Sequence, residues 1–234
     1  GGHRMTFLRC LAACVALLPA ALCAGERDAV IFCAKSGEQV LHEENASLCK
    51  RTAKLLSACG FPKDRVSIFI EGAASTIPGA SEPTSDALLL QLDKLSQSTS
   101  PSGELWLFIY GDANENQRGV SIAAKGRRLY GKTLAETLDK IPAKQFVLCM
   151  NRQSSGLMDA FVKDGRVVAT ACSNPGQPNP PLFPKFLLET WEKSPSATIL
   201  EILKKAGEAT EAHYKNSGLA IAETAQVFDG SSVV

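Results

Sequence analysis

The sequence predicts an α/β protein, a three-layer sandwich with a mainly parallel central sheet and helices on both faces. Short apolar runs rich in β-branched residues alternate along the chain with longer amphipathic segments, an alternation typical of parallel sheets covered on both faces. The hydrophobic fraction of 45% and the charged fraction of 21% are those of an ordinary globular protein. Because no Gly-, Ser- or Pro-rich run is long enough to be an interdomain linker, residues 25–234 are predicted to form a single domain.

Five apolar runs are predicted to be strands of this sheet. They cover residues 29–33, 66–70, 105–110, 146–150 and 166–172. A run that is apolar at successive positions is expected to be buried on both faces of a sheet. Ligands of such sheets bind beyond the carboxyl ends of the strands, so the segments after Tyr110, Met150 and Cys172 are where a site is expected.

Helical spacing of apolar residues predicts the covering layers. The predicted helices are residues 43–59, 86–97, 133–141, 156–162, 186–193 and 196–214. Gly60 follows the first of them as a C-terminal stop. Two stretches rich in Pro and small residues, 72–84 and 174–184, are predicted loops, and residues 119–123 are predicted to form a hairpin or a small side strand.

Residues 1–24 are predicted to be a leader peptide. Residues 10–24 are almost wholly apolar, follow Met5 and Arg9, and end in small residues just before a charged stretch, which is the layout of a signal peptide. The run is too short for a comfortable membrane-spanning helix. We therefore expect cleavage near residues 21–24 and an exported protein, periplasmic or secreted, with no transmembrane segment in the mature chain. A lipid anchor at Cys23 is an alternative, which the bulky Leu22 disfavours.

The distribution of charge argues against a nucleic-acid-binding protein, and the spacing of the cysteines and histidines argues against a metal-binding protein. The 25 basic and 24 acidic residues are interspersed, so no nucleic-acid-binding surface is predicted. Without a C-x-x-C pair or a histidine cluster, no metal or other cofactor is predicted. An oxidising compartment would permit one disulfide, but the spacing gives no framework. The cysteines that remain after the leader are Cys33, Cys49, Cys59, Cys149 and Cys172.

Five segments resemble, in order and spacing, the caspase and legumain cysteine peptidases. Residues 108–114 are similar to the strand end and turn that carry the catalytic His, and residues 145–156 to the strand end with the acid-Ala-Cys-x-Ser-Gly motif that carries the nucleophile. Residues 167–174, 182–189 and 223–230 are similar to the next strand, a helix and the closing segment of bacterial caspase-like proteins. The resemblance covers roughly residues 28–230 and implies a caspase-like fold.

The nucleophile of that family is replaced in this chain. When Ser155 and Gly156 are matched to the end of the motif, Gln153 stands at the nucleophile and Asn151 at the preceding acid. In the family a thiolate attacks the scissile carbonyl, and a Gln amide has no such reactivity. Ser154 and Ser155 are expected to be turn residues, because a serine nucleophile needs a base within hydrogen-bond reach.

The catalytic His is replaced as well. An ungapped match after Tyr110 puts Asn114 at the His position, whereas a one-residue gap puts Ala113 there and pairs Asp112 with the Asp that precedes the His of legumains. Neither register supplies an imidazole to protonate a departing amine. His42, expected in a loop between the first strand and the first helix, is the histidine that could reach the same edge of the sheet.

The resemblance therefore implies a catalytically inactive peptidase homologue that acts through protein or peptide binding. Its former substrate cleft would be lined by Asp112, Ala113, Asn114, Asn151, Gln153, Ser173, Asn174 and His42. Two alternatives remain open. One is an active cysteine endopeptidase that pairs Cys172 or Cys149 with His42, although strand spacing puts Cys149 roughly 13 Å inside the sheet and predicts a buried structural thiol. The other is a structural or scaffold subunit.

Overall fold

The computed structural model describes residues 26–72, 77–173 and 179–231. In these three stretches the chain forms nine strands. They are β1 (Arg27–Cys33), β2 (Val66–Phe69), β3 (Glu104–Tyr110), β4 (Ala113–Asn116), β5 (Gly119–Ile122), β6 (Leu129–Tyr130), β7 (Lys144–Cys149), β8 (Arg166–Thr170) and β9 (Gln226–Asp229).

Six of the strands form a central sheet in the order β2-β1-β3-β7-β8-β9. The first five pair in parallel, and β9 runs antiparallel to β8. Ile109 of β3 is level with Phe32 of β1 on one side and with Cys149 of β7 on the other, so these strands end at one edge. The predicted mainly parallel sheet is confirmed, and so is the side strand near residues 119–123, which lies in a small antiparallel sheet β4-β5-β6.

Helices cover both faces of the central sheet. Cys49, Leu187 and Ile202 lie in one buried cluster with the side chains of one sheet face, whereas Leu88 and Leu134 belong to the cluster on the other face. The predicted three-layer α/β sandwich is therefore confirmed. The helices are α1 (Gln39–Ala58), α2 (Ser85–Ser98), α3 (Gly131–Leu138), α4 (Ser155–Phe161), α5 (Phe183–Lys193) and α6 (Ile199–Asn216), with a 3₁₀ turn at Lys63–Arg65.

The start of α1 corrects the expectation for His42. The helix begins at Gln39, so His42 lies in its first turn, and the predicted loop position was wrong. Apolar periodicity did not indicate this turn because polar contacts hold it. Gln39 Nε2 donates to Glu43 Oε1 at 2.9 Å within the helix, and Asn45 Nδ2 donates to Ser36 Oγ at 3.0 Å.

Three sequence predictions fall on residues that the structure does not describe. The leader at residues 1–24, the alternative lipid anchor at Cys23, and Asn174 all lie outside the described ranges. Among the residues that are described, each helix is either too short or too polar to cross a membrane.

A close backbone approach shapes the end of β3. Gly111 follows the strand with a φ of +97°, and a Cβ placed on it would lie 2.8 Å from the Ala34 Cβ and still closer to the Ala34 carbonyl. Next to this contact the Ala34 N–H donates to the Tyr110 carbonyl at 2.8 Å. Only glycine has both the left-handed conformation and the absence of a side chain that this position needs.

Replacement of Gly111 by alanine is expected to lower the free energy of unfolding by about 3 to 5 kcal/mol, through left-handed strain and overpacking together. Gly119 is a matched control, because its φ is +99° and a Cβ added to it would have no other atom within 4 Å. Gly119→Ala should cost only about 1 to 2 kcal/mol. Urea unfolding of both variants measures the difference, and equal losses would contradict a structural role for the close approach.

A buried carboxyl group attaches the C-terminal segment to the domain. Glu223 is 4% exposed, and its Oε1 accepts from the Leu182 N–H at 2.7 Å and from the Tyr214 hydroxyl at 3.3 Å. Its Oε2 has no partner among the described residues. Burial raises the pKa of this carboxyl from 4.5 to about 7, because the charged form loses hydration.

The pKa of Glu223 predicts a pH-dependent stability. The folded state holds the proton up to about pH 7 and the unfolded state only to about 4.5, so the contribution is favourable at low pH and is lost as the pH rises through that window. Relative to Glu223→Gln, the wild type should lose on the order of 2 kcal/mol between those pH values. Urea unfolding across this range checks the prediction, and Glu208→Gln, at an exposed position on α6, should leave the wild-type slope unchanged.

Candidate functional site

The candidate site lies where β3 and β7 end side by side. The Met150 N–H donates to the Ile109 carbonyl at 2.8 Å, and the Ala113 N–H donates to the Arg152 carbonyl at 3.3 Å. Residues 111–113 and 150–152 thus continue the contact between the two strands beyond their ends. The two segments that were expected to carry the catalytic positions are brought together at the carboxyl edge of the sheet.

Asp112 joins three separate segments at this edge. Its side chain is mostly buried, and its Oδ2 accepts from the Gly37 N–H at 2.9 Å and from Arg152 Nη2 at 3.0 Å. An arginine and a backbone amide thus both donate to the same carboxylate oxygen, and the contact with the arginine is charge-assisted. Asp112 is therefore a link between the loop after β1 and the turn after β7, rather than a base that is available to a substrate.

A small cavity opens next to this link. It has a volume of about 40 Å³ and lies between α1 and the ends of β3 and β7. That volume suits one small side chain and is far below that of typical pockets for drug-sized ligands. Its wall combines Asp112 and Arg152 with Leu48 of α1 and with prolines that precede α5 or begin it. The prolines are Pro180, Pro181 and Pro184.

The turn after β7 contains a strained backbone conformation and unpaired buried polar atoms. Gln153 has a φ of +59° and is the one non-glycine residue with a positive φ in the described part of the chain. Asn151 is fully buried, and neither its Oδ1 nor its Nδ2 has a hydrogen-bond partner within residues 26–72, 77–173 and 179–231; the buried Ser155 Oγ also has none there. These three atoms are among only five such side-chain atoms in the described residues. Each unpaired buried group costs about 1 to 3 kcal/mol.

Ser154 has a structural role in the same turn. It is fully buried, and its Oγ accepts from the Ala171 N–H at 3.1 Å, which ties the turn to the end of β8. The Cys172 Sγ lies 3.5 Å from the same oxygen. Both the hydroxyl and the thiol are thus enclosed between two strand ends, where a substrate has no access to them.

The other predicted site residues occupy different surroundings. Ala113 is buried and Asn114 half-buried on β4, and the Asn114 carbonyl accepts from Ser121 Oγ at 3.3 Å. Ser173 is exposed just beyond β8. His42 faces the core side of α1, and its buried Nδ1 has no hydrogen-bond partner in the described part of the chain. The α1 residues that line the cavity are its neighbours Leu41, Glu44, Asn45 and Leu48.

The thiols of the described chain are poorly placed for catalysis. Cys33, Cys49, Cys149 and Cys172 are buried, and Cys59 is half-buried at the C-terminal end of α1. Burial raises the pKa of Cys149 far above its usual value, because the thiolate would lie in apolar surroundings. Burial also raises the pKa of Cys49. No group of three or more His, Cys, Asp or Glu side chains that could hold a metal ion occurs in the described ranges.

Comparison with solved structures identifies the architecture. The crystal structure of caspase-1 from Spodoptera frugiperda matches with a TM-score of 0.53 at 12% identity, covering 88% of this chain and 86% of that one. The Drosophila initiator caspase Dronc matches with a TM-score of 0.59 at 12% identity, covering 87% of this chain and 79% of that one. This protein has a caspase-like fold. No family model and no curated protein matches the sequence.

The caspase-like fold brings in two site residues that the sequence analysis did not single out. Arg152, between Asn151 and Gln153, reaches the Asp112 carboxylate, and Gly37 supplies the second donor to it. A basic residue within the motif was the available signal for Arg152. No signal in the sequence indicated the contact between Gly37 and Asp112. A backbone N–H has no residue-specific signature, and the two residues are 75 positions apart.

Thiol labelling is expected to separate Cys59 from the four buried cysteines. At neutral pH, iodoacetamide should modify Cys59 slowly, because burial raises its pKa, and should modify the other four only after unfolding. Peptide mapping by mass spectrometry, with a guanidinium-unfolded sample as the control, measures each rate. Rapid labelling of Cys149 or Cys172 in the folded protein would instead support a relocated active site.

Proposed function

We propose that this caspase-like protein is a peptidase homologue without peptidase activity, and that it binds an extended peptide segment of another protein at the turn formed by residues 150–155. The observation that carries the proposal is the concentration of left-handed strain and unpaired buried polar atoms in that one turn. Strained or unsatisfied groups in a folded protein tend to occur at ligand-binding sites. The unpaired amide belongs to Asn151 and the left-handed φ to Gln153, the positions that the family resemblance assigns to the acid and the nucleophile.

Peptide binding suits the chemistry of this turn. The Gln153 side chain is half-buried and carries both an amide donor and a carbonyl acceptor, so it can hydrogen-bond to an extended backbone. A peptide that draws the turn open would also offer its N–H and C=O groups to Asn151 and Ser155. The adjacent cavity of about 40 Å³ would admit one small side chain. Such a peptide would be held at a position that lacks a nucleophile to cut it.

The acid–base groups near the turn support binding over hydrolysis. Asp112 is bound to Arg152 and Gly37, and His42 points into the core side of α1. General acid–base catalysis needs a group within about 3 Å of the proton that is transferred. The nearby thiols of Cys149 and Cys172 are fully buried. These placements favour a binding protein over an endopeptidase with a relocated Cys–His pair.

A peptide library tests the proposal. The full chain is incubated with a diverse fluorogenic library, in parallel with Cys149→Ala and Cys172→Ala, and cleavage is followed by mass spectrometry while binding is followed by fluorescence anisotropy. We expect selected peptides to bind and none to be cut. Cleavage that disappears in one cysteine variant would overturn the proposal in favour of an endopeptidase.

Matched glutamine variants locate the binding. Gln153→Ala should weaken the selected peptides about 3- to 10-fold, the loss expected for one or two side-chain hydrogen bonds. Gln97→Ala is the control, because Gln97 is exposed near the end of α2, by the amino-terminal edge of the sheet. If no peptide binds, or if both variants bind like the wild type, the proposed site is wrong and a scaffold role through another surface is favoured.

A further inference from the structure

A second cavity lies at the opposite edge of the sheet from the turn at 150–155. It has a volume of about 410 Å³. Its lining includes the first residues of three strands, which are Arg27 of β1, Glu104 of β3 and Lys144 of β7. A volume of this size falls within the range that binds small molecules. The cavity shares no lining residue with the small cavity beside Asp112.

Aromatic rings form the wall of this cavity. Trp106 stacks on Phe146 with ring centroids 4.1 Å apart, lies 5.4 Å from Trp191, and meets Phe61 edge to face at 5.9 Å. The four residues are buried, with 4–7% of their surface exposed. Trp106 and Trp191 are the two tryptophans of the whole chain. A ring that enters the cavity would therefore meet stacked aromatic surface and would change the environment of both fluorophores.

Positive charge borders the aromatic wall. The Arg27 guanidinium lies 4.5 Å from the Phe61 ring centroid, and the Lys144 ammonium lies 5.3 Å from that of Phe146. In the described part of the chain, neither cation has a carboxylate oxygen within 4 Å. The one carboxylate that lines the cavity, Glu104, accepts from Trp106 Nε1 at 3.0 Å. The lining therefore carries two cations and one carboxylate. Arg27 Nη2 also donates to the Cys59 and Gly60 carbonyls at 3.2 and 3.1 Å, and Lys144 also attracts the nearby Asp229 carboxylate.

We propose that this cavity binds a small aromatic carboxylate, with its ring against Trp106 and Trp191 and its carboxylate towards Arg27 and Lys144. Ring stacking supplies the apolar part of the recognition, and the two cations supply the charge complementarity. A cationic ligand is disfavoured because Arg27 and Lys144 already lie over ring faces and would repel it. The inference does not depend on the peptide-binding turn, which lies at the other edge of the sheet.

Two independent signals report on this cavity. Tryptophan emission reports on the wall, and the half-buried Cys59 thiol, which lines the same cavity, reports on access. The full chain is titrated with 3-phenylpropionate, which does not absorb where tryptophan is excited. We expect a saturable change in emission together with slower alkylation of Cys59. The absence of a saturable change in emission would overturn the proposal.

Ligand analogues and two lysine variants test which chemical groups the cavity recognises. We expect 3-phenylpropanamide and 3-phenylpropylamine to bind at least about fivefold more weakly than 3-phenylpropionate, and octanoate to bind more weakly too. Lys144→Gln should reduce the preference for the acid over the amide, whereas Lys94→Gln, at an exposed position on α2, should not. The proposal would be overturned if 3-phenylpropionate bound no more tightly than its amide or than octanoate. It would also be overturned if Lys94→Gln had as large an effect as Lys144→Gln.

Discussion

The close approach of Gly111 to Ala34 is the constraint on which the carboxyl edge of the sheet depends. With no side chain between them, the turn after β3 lies directly against the segment after β1, and the Lys35 N–H reaches the Ala123 carbonyl at 2.8 Å. In this position the Asp112 carboxylate meets the Gly37 N–H and the Arg152 guanidinium. Backbone sterics at one glycine thus determine how three loops meet, and the cavity beside Asp112 follows from that meeting.

Most of the architecture could be predicted from the sequence because a buried parallel strand has a strong local signal. Runs such as residues 105–110 are apolar at every position, and they lie in the centre of the sheet. β9 gave no such signal, since its residues alternate between half-buried and exposed and it forms only through pairing with β8. The first turn of α1 was missed for a related reason, because polar side chains rather than apolar spacing stabilise it.

The candidate site was less predictable than the fold because its defining contacts are non-local. The assignment of the dyad positions to Gln153 and to either Asn114 or Ala113 rests on residue type and order, and it stays a prediction. The bond between Asp112 and Arg152 spans 40 positions, and no local pattern indicates it. The left-handed φ of Gln153 could not be predicted from the sequence either, because glycine or asparagine normally indicates such a conformation.

The two edges of the sheet carry opposite kinds of surface, and this contrast bears on what the turn at 150–155 does. At the amino-terminal edge, stacked rings bury apolar area and stabilise the fold while they leave a cavity open. The turn at the carboxyl edge differs, since it places left-handed strain and unpaired polar atoms next to the buried Met150. A glycine at position 153 would adopt the same φ without strain, and an alanine at position 155 would leave no unpaired hydroxyl. Simpler residues would therefore make a more stable turn. Stability alone does not account for Asn151, Gln153 and Ser155, whereas the peptide binding that we propose would give these polar groups partners.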